Sequence, residues 1–306
     1  MEPVLDPPAQ PDPLVRRVRR SLDRRWIGAI VIVVALYAIS VLTPNGQLVS
    51  DLVLTGRPME DPDRIAAAKD VLGSVSIASL LVAGLVIAGI ALARRRPWMA
   101  VGVLVAIAGA NVSTQVLKRM ILPRPALSID LGVGVHNSFP SGHVTVAAVL
   151  GIALLVVVAP RWRPVVAVAA GVFLLLIGTS TLVAGWHRAE DIMGGGAVAL
   201  AWVAGVSAVV VRRRGAVPVA AGHARTHQAG GRLLLGLGLV LLILGGATWV
   251  AAFDDPSTAI DILDDGTFSS ARLFAGAFTV AIATALLTVA TLWRAIRSAD
   301  LETPRA

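Results

Sequence analysis

His187 and Asp191 stand four residues apart in the stretch "GWHRAED", residues 185–191. On a helix that spacing brings two side chains to one face, where a carboxylate can hold the tautomer of an imidazole. A histidine oriented in this way is a nucleophile or a base. A second histidine, His143, closes the stretch "SFPSGH", residues 138–143, just ahead of an apolar run. Pro140 disfavours helix in the residue before it, and Ser141 is a good N-cap. A helix that starts near Gly142 presents unpaired backbone N–H groups and the positive end of its dipole, and both attract an anion. Gly142 also lets the backbone approach a ligand closely. A third stretch, "LKRMILPRP", residues 117–125, carries Lys118 and Arg124. These are cations with several donors each, suited to an oxyanion. Together the three stretches describe a cationic, donor-rich cup with two histidines, which is the chemistry of a phosphate site.

The elements that must position these residues are apolar. The chain has 306 residues, of which 56% are hydrophobic and 15% charged. A soluble domain carries about 25% charged residues. Eight apolar segments, approximately 26–43, 71–93, 98–117, 143–159, 164–186, 192–211, 233–253 and 271–293, are long enough or nearly so to cross a bilayer. The expected fold is therefore all-α, a polytopic transmembrane helical bundle. It divides into a basic, disordered tail (1–25), a six-span core (26–211), a loop (212–232), two additional spans that form an appended packing unit (233–293) and a second tail (294–306). The basic stretch before the first span is read as a tail and not a signal peptide, because no small-residue cleavage site follows it. Asn111, Thr114, Gln115 and Lys118 recur at three- and four-residue steps and form a polar stripe on the third span.

Charge gives the orientation. With eight spans, 19 of the 27 Lys and Arg residues fall on the side of the two termini. The positive-inside rule then puts both termini in the cytoplasm and the three stretches outside it, at the plasma membrane. The last outer loop is acidic (Asp254, Asp255, Asp261, Asp264, Asp265), in agreement. The net charge of +8 is thus a matter of topology and not a nucleic-acid footprint. The chain has no cysteine, which excludes disulfides and thiolate chemistry. His223 and His227, in the 212–232 loop, are four apart but lack further ligands, and His136 lies in the loop before "SFPSGH". No carboxylate cluster offers a metal site, so no cofactor and no metal is expected. The expected partners are the lipid bilayer and a phosphorylated lipid.

The chain resembles the type 2 phosphatidic acid phosphatase superfamily of membrane phosphatases. Its three motifs are Lys, a spacer of about six and Arg-Pro; Pro-Ser-Gly-His; and Ser-Arg, five residues, His, three residues and Asp. Here they read Lys118 to Arg124-Pro125, Pro140 to His143, and Ser180-Thr181 to His187 and Asp191. The resemblance covers roughly residues 71–211. It implies that His187 attacks phosphorus to form a phosphohistidine and that Asp191 orients His187. It implies that His143 protonates the leaving oxygen and then activates water. Lys118, Arg124, Ser141 and the Gly142 N–H would hold the phosphoryl oxygens, with no metal. Two departures stand out. The first spacer is five residues, and Thr181 stands where the family has Arg. Arg188 and Arg119 are the candidates to supply that missing charge. Two other readings use the same residues: a catalytically weak phosphate-lipid binder or transporter, and a phosphotransferase to an acceptor other than water.

Overall fold

The computed structural model describes residues 12–56, 61–129, 131–132, 136–254 and 267–303. Most of the acidic loop (Asp255, Asp261, Asp264, Asp265) lies outside them. The helices are α1 (Pro13–Leu36), α2 (Pro44–Thr55), α3 (Pro62–Gly73), α4 (Ile77–Ala93), α5 (Pro97–Val116), α6 (Gly142–Val157), α7 (Arg163–Val183), α8 (Ala189–Arg214), α9 (Ala221–Asp254) and α10 (Thr267–Ala295). Their starts are written in the sequence. Asp12, Thr43 and Asp61 cap α1, α2 and α3 by accepting from backbone N–H groups, and each is followed by Pro, which suits the first helical position.

Among the described residues, six helices are long and apolar enough to cross a membrane, or seven if the bent pair α3–α4 counts as one. α6 is shorter, at 16 residues. The chain is a membrane protein with an all-helical body. Leu81, Leu85 and Val86 of α4 and Leu233, Leu237 and Ile243 of α9 point outward, where lipid tails are the solvent. The centre is α8, whose inward positions are mostly Ala, Gly and Val. Small residues let helices approach closely where no hydrophobic force separates protein from lipid. A Cβ at Gly205 would lie 3.0 Å from the Trp26 ring of α1, and one at Gly196 would lie 2.8 Å from Thr288 Oγ1 of α10.

Four sequence expectations are corrected here. Residues 13–25, expected as a tail, are the first turns of α1, and Val18 and Leu22 are buried in the core. The expected 212–232 loop is largely structured, because α9 already begins at Ala221. The final segment is not a free tail: β2 (Ala299–Leu301) pairs antiparallel with β1 (Ala216–Pro218). Asp300 there accepts from Arg94 (2.5 Å), Arg96 (2.7 Å) and Arg163 (3.0 Å), three arginines at the same end of the bundle. The last two spans are not simply appended, since α10 packs into the core through Ala277, Val280, Ala281 and Val289. His227 has found partners too, the carbonyls of Pro160 and Arg297.

Candidate active site

The stretch 117–125 leaves α5 through a π-helical turn, Leu117–Ile121, which holds Lys118 half-buried. Such turns are frequent at functional sites. The chain then runs across α2. Gln47 of α2 donates to the carbonyls of Val41 (2.6 Å) and Pro125 (2.7 Å) and accepts from Leu127 N (3.2 Å). One turn further along α2, Asp51 accepts from Arg124 Nη2 at 3.1 and 3.3 Å. α2 therefore clasps the segment that carries Arg124. The sequence reading treats 44–70 as loop and overlooks this helix. Its signal was present: Thr43-Pro44 is a cap, and Gln47 and Asp51 are four apart on one face.

The middle stretch is tied to the first by Asn137, whose Nδ2 donates to the carbonyls of Lys118 (3.2 Å) and Leu122 (2.6 Å). Phe139 is buried with its ring over Gly194 of α8, where an added Cβ would come within 2.5 Å of it. The Phe139–Pro140 peptide is cis. Ser141 caps α6 as expected, accepting from Val144 N at 3.4 Å, and the helix starts at Gly142. Gln115 of the polar stripe reaches this helix start: its Nε2 would lie 3.3 Å from a Cβ at Gly142. Thr114 reaches Thr145 at 3.2 Å. His143 is half-buried in the first turn, with its ring 5.4 Å from that of Trp186.

The third stretch is a tight turn between α7 and α8. Gly185 takes a positive φ of +68°, a conformation that favours glycine. The carbonyl of Thr181 accepts from the N–H groups of Trp186 (3.0 Å) and His187 (3.3 Å). His187 is thus not on a helix, contrary to the reason given above for its spacing. It stands one residue before the N-cap, Arg188. Asp191, in the first turn of α8, turns its carboxylate back: Oδ2 accepts from Arg188 N (2.9 Å) and meets His187 Nδ1 at 3.2 Å. A carboxylate at this position satisfies helix-end donors and orients the imidazole in one stroke. Nδ1 carries the proton that Asp191 accepts, so Nε2 is left with its lone pair. Burial pushes the His187 imidazole below its ordinary pKa, while the Asp191 hydrogen bond and charge oppose the fall. The middle stretch locks on as well, through Ser141 N to the Asp191 carbonyl at 2.9 Å.

The expected site residues therefore meet at one end of the bundle. Lys118 is close enough to feel the charge of Asp191, and His143 to feel those of Lys118 and His187. Arg188 is the further cation: its Nε donates to Asp51 Oδ1 at 2.8 Å, its Nη2 stands 2.6 Å from the same oxygen in an ion pair, and its Nη1 donates to Ser138 Oγ at 3.0 Å. Burial works against that charge, but Asp51, Glu190 and Asp191 together more than restore it, so the pKa lies above the ordinary guanidinium value. Asp51 thus joins Arg124 of the first stretch to Arg188 of the third. Arg119 is not brought in; its side chain is exposed on the π-turn. His136 is exposed on the loop before Asn137. Glu190, buried beside Ser50, is a second acid that the sequence reading missed. Among the described residues, no three His, Asp or Glu side chains converge to hold a metal ion.

Residues 73–215, which contain all three motifs, match the family model described as the PAP2 superfamily. That region of the chain is similar to the PAP2 superfamily. No curated protein matches the chain. A solved structure, that of the first transmembrane PAP2 type phosphatidylglycerolphosphate phosphatase from Bacillus subtilis, is similar at 22% identity and a TM-score of 0.49, over 60% of this chain and 95% of that one. Within this matched region the departure at Thr181 has a clear local form. Thr181 is fully buried, and its Oγ1 donates to the carbonyl of Gly178 at 2.7 Å, in its own helix. Its side chain is satisfied away from the cup, and the guanidinium nearest to His187 in sequence is that of Arg188.

Proposed function

We propose that the protein hydrolyses the phosphate or pyrophosphate ester of a membrane lipid through a phosphohistidine, at the extracytoplasmic face. The observation that carries this reading is the buried His187–Asp191 contact of 3.2 Å, which leaves Nε2 of His187 available beside His143 and the cations. In the first step Nε2 attacks phosphorus, the P–O bond to the lipid breaks, and His143 gives its proton to the leaving oxygen. In the second, His143 takes a proton from water, the water oxygen attacks phosphorus, and the P–N bond breaks. Lys118, Arg124 and the N–H groups at the start of α6 hold the equatorial oxygens, where charge builds up. Arg188, held by Asp51 and Ser138, adds positive potential in place of a charge at position 181.

The extracytoplasmic location rests on the excess of basic residues at the opposite end. Phosphatidic acid, phosphatidylglycerophosphate and a polyprenyl pyrophosphate are the substrates to try. Transfer to an acceptor other than water would use the same residues. The weak-binder reading is favoured by one observation, that the donors of Arg188 are engaged by Asp51 and Ser138. The test is phosphate release from those three lipids, with and without chelator, by wild type and by His187→Ala. Release by wild type in chelator, and its loss in a folded His187→Ala, is expected. More than a few per cent of activity in His187→Ala would rule out the phosphohistidine. Activity only with added metal would rule out the scheme.

A further inference from the structure

At the end of the bundle far from His187, a groove of about 940 Å³ opens between α1, α5 and α8. That volume is at the upper end of small-molecule sites. Its walls are apolar for most of their length: Trp26 and Ile30 from α1, Val101 and Val105 from α5, Trp202 and Val209 from α8. Glycines make the room. The Trp202 ring lies against Gly109, where a Cβ would come within 2.4 Å, and its Nε1 donates to Ser113 Oγ at 3.0 Å. With its polar atom satisfied, Trp202 gives the groove an apolar end. The other end is cationic. Arg19, Arg212, Arg213 and Arg214 line it with a single acid, Asp23.

Two details mark this end as incomplete. Arg214 stacks on Trp98, its guanidinium carbon 4.2 Å from the ring centre, and its buried Nε has no hydrogen-bond partner among the described residues. The buried Nε of Arg19 also lacks one among the described residues, with Asp23 standing 3.7 Å away, beyond hydrogen-bond reach. Buried donors are normally paired. Length decides what kind of molecule fits. From Ala201 to Arg214 the groove follows α8 for roughly 20 Å at the helical rise of about 1.5 Å per residue. One leaflet of a hydrocarbon core is about 15 Å deep, half of about 30 Å. The remainder is the depth of a headgroup.

We infer that this groove is a binding site for one anionic glycerophospholipid of the leaflet at the arginine end. Its acyl chain lies along Trp26, Val105 and Trp202, and its phosphate meets Arg19 and Arg212–Arg214. The site is separate from the phosphate cup and does not depend on the reaction proposed above. A zwitterionic lipid fits the walls equally well but gains less from the four arginines, so headgroup charge is the distinguishing property.

The test uses the full chain in detergent, titrated with dioleoyl phosphatidylglycerol or dioleoyl phosphatidylcholine and followed by native mass spectrometry. Wild type should retain one phosphatidylglycerol at least about tenfold more tightly than phosphatidylcholine, the scale expected for loss of two headgroup charge contacts. The double substitution Arg19→Gln/Arg214→Gln should remove the preference and leave phosphatidylcholine binding unchanged. Val209→Trp, which fills the groove from an exposed position, should weaken both lipids. His187→Ala should change neither. Equal retention of the two lipids by wild type would overturn the inference. So would a preference that survives the arginine substitutions, loss of the bound lipid in His187→Ala, or a dimer whose formation excludes the lipid.

Discussion

Arg188→Ala tests where this site keeps its third cation. In the native protein the Arg188 guanidinium hydrogen-bonds Asp51 at 2.8 Å and Ser138 at 3.0 Å and pairs with Asp51 through Nη2 at 2.6 Å, and the side chain is almost fully buried. Removing one member of a buried ion pair costs about 3–5 kcal/mol when the other is left alone. Asp51 is not left alone, because Arg124 stays at 3.1 Å. The expected loss of stability is therefore about 2 kcal/mol, the scale of one hydrogen bond to a charged group. The catalytic loss is larger. Removing a donor or charge that stabilises a developing oxyanion costs about 10²–10³ in turnover, or about 3–4 kcal/mol. Thr181→Arg is the complement. At that fully buried position a guanidinium overpacks the end of α7 and costs about 1–3 kcal/mol of stability. In the native background it should bring no gain, on the proposal that Arg188 supplies the charge. In the Arg188→Ala background it should restore roughly tenfold, a coupling of about 1.4 kcal/mol. The assay is kcat/KM for phosphate release from one lipid phosphate by the four proteins of the cycle, with thermal unfolding in detergent recorded in parallel. If wild type is inactive on every lipid phosphate and Thr181→Arg alone starts turnover, the site lacks its cation and Arg188 is only a structural tie.

Three further outcomes follow from the geometry. Ala126→Cys, on the exposed segment after Arg124, should label with a membrane-impermeant thiol reagent in intact cells, and Ala221→Cys should label only after lysis; the reverse pattern would invert the orientation. Ser138 is unsuitable as a reporter, because it is buried against Arg188. The acid limb of kcat/KM should fall below the ordinary imidazole value of about 6.5, because burial lowers the His187 pKa and its neutral form persists to lower pH. Asp191 opposes that shift, so Asp191→Asn should move the limb further down while reducing kcat; an upward move would contradict the assigned pair. Gly195→Ala should reduce turnover more than stability, since its Cβ would lie 2.8 Å from the Ser141 carbonyl and 3.2 Å from Thr145 N, so that α6 must shift against α8; native kcat in this variant would show that the α6 start does not hold the phosphate.

The sequence by itself determined the helices and marked the candidate groups of the site. Long apolar runs admit few structures in lipid other than helices, and caps such as Asp12-Pro13 and Ser141-Gly142 mark where they start. The spacing of His187 and Asp191 was legible because it is local, although the carboxylate acts from the start of α8 and not along a shared helix face. What local pattern does not contain is partnership across the bundle. Asp51 reads as one polar residue in a connecting segment, yet it joins Arg124 to Arg188 over 73 and 137 residues of chain. Which of Arg188 and Arg119 is held beside the other motif residues was likewise open, because both lie near helix ends on the same side; only packing buries one against Asp51 and Ser138 and leaves the other exposed. The C-terminal segment shows the same limit. Asp300 is an unremarked acid in a short tail until the fold places three arginines around it. A buried charge is stable only where partners converge on it, and that convergence is a property of the tertiary structure.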